Sequence, residues 1–227
     1  MKVTNLLGDA ARLDLPSQSV DLIVTHPPYL GTDVERYGGD PSVQVNASQD
    51  SKKMLKLLKG ISKEFERVLK PNGTLAIANH SIEGFDSRFM TQTLEVTSLK
   101  FANYFVQESE DRITIWQHYY KGARPFANYM SSKQSISKVF QSNFNNIDDP
   151  IDLQLESESF HVLDVMNKAV PEKFINLFTL PGDIVLDPFG GSGLVAVTAA
   201  MLGRTGVTND ISPVQYRAAA RRIELSL

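Results

Sequence analysis

The tetrapeptide His26-Pro27-Pro28-Tyr29 follows the apolar run Leu22-Ile23-Val24, so a polar ring, two rigid imino acids and an aromatic ring leave the end of an expected buried strand. Proline has no backbone N–H and a fixed φ; two in succession end sheet pairing and leave their carbonyl oxygens available as acceptors. Such an edge suits chemistry on a flat, amino-bearing ring, with acceptors holding the amine and Tyr29 stacked on the ring face. A second chemistry-bearing group, Asp187-Pro188-Phe189-Gly190-Gly191-Ser192-Gly193, follows Ile184-Val185-Leu186 and leads into an apolar helix from about Leu194. Its glycines let the backbone approach a ligand closely, and the helix start presents N–H groups without intrahelical partners. Asn209-Asp210 closes another expected strand, 205–208, where an acidic side chain can accept hydrogen bonds from two ribose hydroxyls.

Two cofactor readings compete for these residues. Gly191-x-Gly193-x-x-Ala196, with Asp210 about twenty residues on, fits the dinucleotide fingerprint and suggests NAD. A conventional dinucleotide-binding domain needs further strands after its glycine turn. Only one helix, one strand and a final helix fit into the sequence beyond Gly193. The remaining strands must come from the N-terminal half, so the sheet reads as permuted, with the cofactor turn late and the Pro-Pro-Tyr strand early.

The elements that position these residues alternate between short apolar runs and helical patterns, which favours an α/β sheet. Residues 3–7 and 21–25 read as strands, joined through a polar turn at 16–19. A long Gly-, Asp-, Asn- and Ser-rich loop from Tyr29 to Ser51 has the character of a lid or binding loop. Met54, Leu57, Leu58, Ile61, Phe65, Val68 and Leu69 form the apolar stripe of a helix over 51–69, which Lys70-Pro71-Asn72-Gly73 stops before a strand at 74–78. Lys52, Lys56, Lys59, Lys63, Arg67 and Lys70 form a second stripe, read as a solvated face with phosphate contact as the alternative. Between 80 and 160, rings including Phe85, Phe89, Phe101, Tyr104, Phe105, Trp116, Tyr119, Tyr120, Phe126 and Tyr129 interleave with Lys100, Arg112, Lys121, Arg124, Lys133 and Lys138. Such interleaving can stack bases and hold phosphates, although core packing accounts for any one ring at least as well. Residues 112–120 read as a strand, and the acidic, polar stretch 148–158 as a connector.

Composition bounds the functions open to such a chain. With 227 residues, 42% hydrophobic and 22% charged, it can bury one full core. It contains no Cys, which excludes disulfides, thiolate metal sites and cysteine nucleophiles. The net charge of −3 argues against nonspecific coating of nucleic acid while allowing a local basic face. No apolar run approaches the roughly 18 residues of a membrane span, and no secretory signal opens the chain; a soluble, intracellular, cytoplasmic protein is expected. With only four His and no second ligand at helical spacing, the sequence argues against a metal site at His26.

In their order these motifs resemble one known family. Residues 187–193 look like the DPFxGSG cofactor motif, and residues 24–29 like the DPPY/SPPY catalytic motif, of amino-directed S-adenosylmethionine-dependent DNA methyltransferases, with the catalytic motif first as in the family's beta class. Leu7-Gly8-Asp9-Ala10, Leu15-Pro16-x-x-Ser19-Val20-Asp21, Val68-Leu69-Lys70-Pro71-x-Gly73, Pro171-Glu172-Lys173-Phe174-Ile175 and Pro181-Gly182-Asp183 extend the resemblance over most of the catalytic part. The resemblance implies a circularly permuted Rossmann-like methyltransferase fold, with residues 1–79 and 161–227 as the catalytic and cofactor-binding domain. It places the variable target-recognition region at 80–160.

The activity implied is methyl transfer from S-adenosylmethionine to an exocyclic amine of DNA, as in restriction-modification systems. That amine is a poor nucleophile and is out of reach within a duplex, so the base must be flipped out. Acceptors at His26 and the Pro27 carbonyl would draw the amine toward a pyramidal form, with Pro28 and Tyr29 completing the edge and Tyr29 stacking on the base. By the same resemblance Asp210 holds the cofactor ribose, Asp187, Pro188, Phe189, Gly190, Gly191, Ser192 and Gly193 form the cofactor turn, and Asp9 approaches the adenine end. His26 departs from the family's Asp, Asn or Ser. A neutral imidazole keeps one acceptor nitrogen and the protonated ring keeps none. The context Val24-Thr25-x-Pro27-Pro28-Tyr29-Leu30 resembles the serine type and tips the expectation toward cytosine N4 over adenine N6. An RNA base amine and a catalytically silent binding subunit are the alternatives. The short recognition region suggests a small target or help from a second protomer in a homodimer.

Overall fold

The computed structural model of the chain describes residues 2–28, 51–80, 93–108, 113–123 and 168–227. Among these, seven strands form one sheet: β1 (Lys2–Leu7), β2 (Val20–Thr25), β3 (Leu69–His80), β4 (Lys100–Glu108), β5 (Ile113–Tyr120), β6 (Ile184–Asp187) and β7 (Thr205–Asp210). The helices are α1 (Ser51–Val68), α2 (Ala169–Phe178), α3 (Leu194–Met201) and α4 (Pro213–Ser226). The strand order is β1-β7-β6-β2-β3-β5-β4. The first five run parallel, and the β5–β4 hairpin is added antiparallel to β3. Strands from the C-terminal part therefore lie between β1 and β2, the arrangement expected of a permuted Rossmann-like sheet.

Alternation along the strands divides the core into two layers. Ile23, Leu75, Ile77 and Leu186 face α1, whose Met54, Leu58, Ile61, Phe65 and Val68 are the buried members of the stripe seen in the sequence. Leu22, Val24, Ala76, Ala78 and Val185 face the other way, onto Phe174, Ile175 and Phe178 of α2 and Val195 and Ala199 of α3. Each of these large side chains gains ~1.5–3 kcal/mol from leaving water, which makes the sheet a rigid platform for the loops at its strand ends.

Local chemistry accounts for two boundaries. Ser212 caps α4, its hydroxyl accepting the Gln215 N–H at 3.4 Å, and Pro213 opens the helix where a missing N–H costs nothing. Lys70-Pro71-Asn72-Gly73, expected as a stop between helix and strand, is instead a bulge inside β3. Val20 pairs Leu69 and Leu22 pairs Thr74, so the intervening β3 residues loop out. Asn72 takes φ 69°, and reciprocal bonds from Asn72 N–H to the Lys121 carbonyl and from Lys121 N–H to the Gly73 carbonyl pin the bulge.

The stretch 80–160, expected as an insertion, contributes β4 and β5 to this same sheet. Trp116, Phe105 and Tyr119 are core residues, while Phe101 and Tyr104 are exposed on β4. Phe85, Phe89, Arg112, Arg124, Phe126, Tyr129, Lys133, Lys138 and the 148–158 connector lie outside the described residues, as do Tyr29 and the loop after it. Arg67 and Lys70 of the basic stripe are engaged internally. Arg67 donates to the Leu13 and Leu15 carbonyls and pairs with Glu64, while Lys70 pairs with Asp21 at 2.8 Å. Among the described residues no helix is long and apolar enough to cross a membrane.

Candidate functional site

From β6 the chain moves outward through α3 to β7, and from β2 it moves the opposite way through α1 to β3. The direction of winding therefore reverses between β6 and β2. In open parallel sheets a crevice for ligands forms at that point, beyond the carboxyl ends of the strands. His26-Pro27-Pro28 leave β2 on one side of this crevice and the 187–193 turn leaves β6 on the other. Asp210 ends β7, and Asp9 follows β1, whose last residue Leu7 is in register with Asp210. Four neighbouring strands thus deliver the described candidates to one edge of the sheet.

The turn is built around the Asp187 carboxylate, which is only 4% exposed. Its Oδ1 accepts the Thr25 hydroxyl at 2.8 Å and the Phe189 N–H at 3.1 Å. Burial pushes this carboxyl up to about 7; the two donors pull the other way, and the nearby Asp210 charge adds to the rise. The Asp187 side chain thus organises the turn from within. Phe189 reaches toward α1, its ring 6.4 Å from that of Phe65.

Close approach requires glycine at 190, and positive φ favours it at 191 and 193. A Cβ on Gly190 would lie 1.7 Å from Thr208 Oγ1, and Gly190 N–H donates to the Asn209 carbonyl at 2.8 Å. Gly193 caps α3 with φ 80° and makes no side-chain cap bond, which leaves first-turn N–H groups at the crevice without a capping side chain. Ser192 is buried beside it. Asp210 accepts the Gly191 N–H on Oδ2 at 3.0 Å and the Ser212 N–H on Oδ1 at 2.9 Å. Desolvation raises its pKa as well. The Ile211 N–H also bonds this carboxylate, so three of its roughly four acceptor sites are engaged and the remaining one is open to a ribose hydroxyl. Asp9 is exposed and its Oδ1 accepts the Ala11 N–H, an ordinary turn bond beside the crevice.

On the β2 side, Pro27 is buried, and His26 and Pro28 are partly buried. The His26 ring lies 6.5 Å from Trp116, which in turn packs 5.0 Å from Phe174 and donates its indole N–H to Gln107 at 3.0 Å. A fixed aromatic wall therefore backs the imidazole.

Three contributors have no role assigned to them from the sequence. Thr25 enters there only as the end of a strand and part of the 24–30 motif context, but its hydroxyl is the donor to Asp187. Asn209 donates to the Gly8 carbonyl at 2.9 Å and the Pro188 carbonyl at 3.2 Å, joining the ends of β1 and β6. Trp116 reads as one candidate stacking ring among many. A polar residue ending an otherwise apolar strand is the available signal for the first two.

The residues fit S-adenosylmethionine on the structure's own terms. Two largely desolvated carboxylates are held by neutral donors and suit a ligand carrying positive charge, and the glycine turn presents backbone without side chains beside them. Among the described residues no group of three or more His, Asp or Glu is placed to hold a metal ion.

Comparison with known proteins agrees. A family model described as DNA methylase matches residues 20–221. The type II methyltransferase M.HpaI of Haemophilus parainfluenzae is 26% identical over 247 residues, covering 93% of this chain and 70% of that protein. The fold is shared with the cytosine-N4-specific PvuII DNA methyltransferase: TM-score 0.67, 18% identity, 97% of this chain and 87% of that one. It is also shared with M1.HpyAVI in complex with SAM: TM-score 0.66, 17% identity, 99% of this chain and all of that one.

Proposed function

We propose, from the premise that this chain belongs to the DNA methylase family, that it methylates the exocyclic amine of a flipped base in DNA, with cytosine N4 preferred to adenine N6. The family supplies the reaction class, an S-adenosylmethionine-dependent amino-methyltransferase acting on DNA. The observation that carries the residue roles is the placement of His26-Pro27-Pro28 and the 187–193 turn on adjacent parallel strands flanking the winding reversal.

When bound, S-adenosylmethionine supplies an electrophilic methyl group on a sulfonium. Asp210 would hold its ribose hydroxyls, and the backbone of Gly190 to Gly193 would line its approach. Asp9 would stand toward the adenine end. At the opposite wall the Pro27 carbonyl and one imidazole nitrogen of His26 accept the two amine hydrogens of the base. The amine lone pair is thereby directed across the crevice rather than into the ring. Pro28 holds this edge rigid, and Tyr29 stacks on the base. Trp116 behind His26 keeps the imidazole aimed. Target recognition falls to the 80–160 stretch outside the two strands it lends to the sheet, with residues 1–79 and 161–227 forming the catalytic part.

Cytosine rests on the serine-type context of residues 24–30. The test is incubation with labelled S-adenosylmethionine and either DNA or RNA, followed by nucleoside mass spectrometry. N4-methylcytosine in DNA is expected; N6-methyladenine overturns the base preference, a product in RNA alone overturns the substrate, and no product overturns the activity. Acid should extinguish transfer as His26 gains its second proton. A flat pH profile together with an active His26→Ala protein refutes that role.

A further inference from the structure

The paired register of β2 and β6 ends at Ile23 with Leu186. Beyond it a side-chain bond links the two strand ends, Thr25 Oγ1–H to Asp187 Oδ1 at 2.8 Å. Both side chains are withdrawn from water, at 0% and 4% exposure. The same carboxylate oxygen receives the Phe189 N–H. A continuous path thus runs from the last residue of β2, through one oxygen, into the backbone of the cofactor turn. Immediately after Thr25 and His26 come two prolines, which have no backbone donor with which to anchor themselves. Thr25 is held on one side by its pairing with Ile77 of β3 and on the other by this hydroxyl bond, which is the link that sets the acceptor edge against the turn.

We infer that Thr25 is a positioning residue for the methyl transfer, its hydroxyl fixing the distance between the edge carrying His26 and Pro27 and the turn that receives the cofactor. This deepens the reading proposed above and rests on it. In-line transfer is sensitive to such spacing, since a displacement of about 1 Å can cost on the order of 100-fold in rate. Valine matches threonine in shape and removes the donor, so Thr25→Val isolates the bond. Expected are a fall in kcat of roughly 10- to 100-fold at saturating cofactor and DNA, S-adenosylhomocysteine affinity within about threefold of wild type, and recovery of most of the loss by Thr25→Ser.

A second readout needs no catalysis. Carbon-13 titration of the Asp187 carboxyl in the free protein should show a higher midpoint in Thr25→Val, because a donor to the charged form has gone. Asp210 faces Asp187 from β7 in both proteins, so the difference reports Thr25. An active wild type with an equally active Thr25→Val, or an unmoved Asp187 midpoint, overturns the inference while leaving the functional reading intact. A wild type that transfers no methyl group overturns the functional reading and takes the inference with it. If Thr25→Val loses its cooperative melt, Thr25→Ala replaces it. Should both unfold while Thr25→Ser stays native, Thr25 serves stability alone and the inference fails.

Discussion

Replacing Gly190 by alanine puts one methyl group where the structure has no space for it. The new Cβ would stand 1.7 Å from Thr208 Oγ1, 2.9 Å from Thr208 Cβ and 3.3 Å from the Asp187 carbonyl oxygen. Turning the Thr208 side chain removes the first overlap. The second persists, because that Cβ is fixed to the backbone of a strand paired on both sides. The turn must therefore recede from β7, stretching the Gly190 N–H bond to Asn209 and the Gly191 N–H bond to Asp210. Overpacking of this kind costs ~1–3 kcal/mol, and two weakened hydrogen bonds add about 1 kcal/mol each. The sum is roughly 3–5 kcal/mol, which for a chain of this size lowers Tm by on the order of 10 °C. Calorimetric melting with and without S-adenosylhomocysteine reads both stability and binding, and the ligand's stabilising increment should vanish. Gly191→Ala is the contrast. Its nearest neighbour would be Gln215 Oε1 at 3.7 Å, so only the φ of +49° opposes it, at ~1–2 kcal/mol. Pairing Gly190→Ala with Thr208→Gly should recover part of the loss relative to Thr208→Gly alone. A Gly190→Ala protein that melts within about 2 °C of wild type and still gains stability from the ligand would refute the close-packed turn.

Burial pushes the Asp187 carboxyl up to about 7 from an ordinary 3.8, so the folded state binds the extra proton between those values. Its contribution to stability is full below about pH 4 and is lost as pH rises toward 7. The full difference is at most about 4 kcal/mol at ~1.4 kcal/mol per unit, and Asp210 acts in the same direction. Urea unfolding across this range should show stability declining with pH, and Asp187→Asn should flatten the decline. Arg67→Ala should cost about 1–2 kcal/mol, chiefly through the Leu15 carbonyl it leaves behind, since the Leu13 carbonyl still accepts the Leu15 N–H and the partly exposed pair with Glu64 adds little. Arg67→Lys should not recover this, for want of a forked donor. Since Arg67 is engaged internally, its loss should leave the salt dependence of DNA binding unchanged. Lys56→Gln with Lys63→Gln, on the exposed face of α1, should also leave it unchanged if that face is merely solvated; a slope shallower by about 0.9 per lysine would mark phosphate contact instead.

Much of the site could be read before the fold. Glycine spacing, a strand ahead of it and an acidic residue after the next strand located the turn and Asp210, because backbone requirements leave marks in residue type. The apolar period of α1 did the same for its buried face. Side-chain pairings across distant segments leave no such mark. Thr25 and Asp187 meet across 162 positions of sequence, and only the β2–β6 adjacency brings them together. Lys70 to Gly73 carried the signature of a stop, yet the strand resumes pairing on both sides of them, since a bulge and a stop use the same residues. Trp116 and Phe105 looked alike to Phe101 and Tyr104 in the sequence. Which pair is buried depends on α2, some 60 residues later, covering one face of the hairpin.

The interleaved strand order also bears on how such a chain reaches its working state. The first strand finds its partner in β7, and the Asn209 bond to Gly8 closes a separation of 201 positions. Until β6 and β7 exist, β2 through β5 can assemble with one edge of β2 bare, and β1 has nothing to pair with. Contacts this distant form slowly, and an uncovered parallel edge invites association with other chains. A polypeptide that ends before β6 therefore lacks the 187–193 turn and Asp210 and leaves β2 without its neighbour on that side. Truncations before β6 should therefore lose binding of S-adenosylhomocysteine and associate through the bare edge of β2, which light scattering reads.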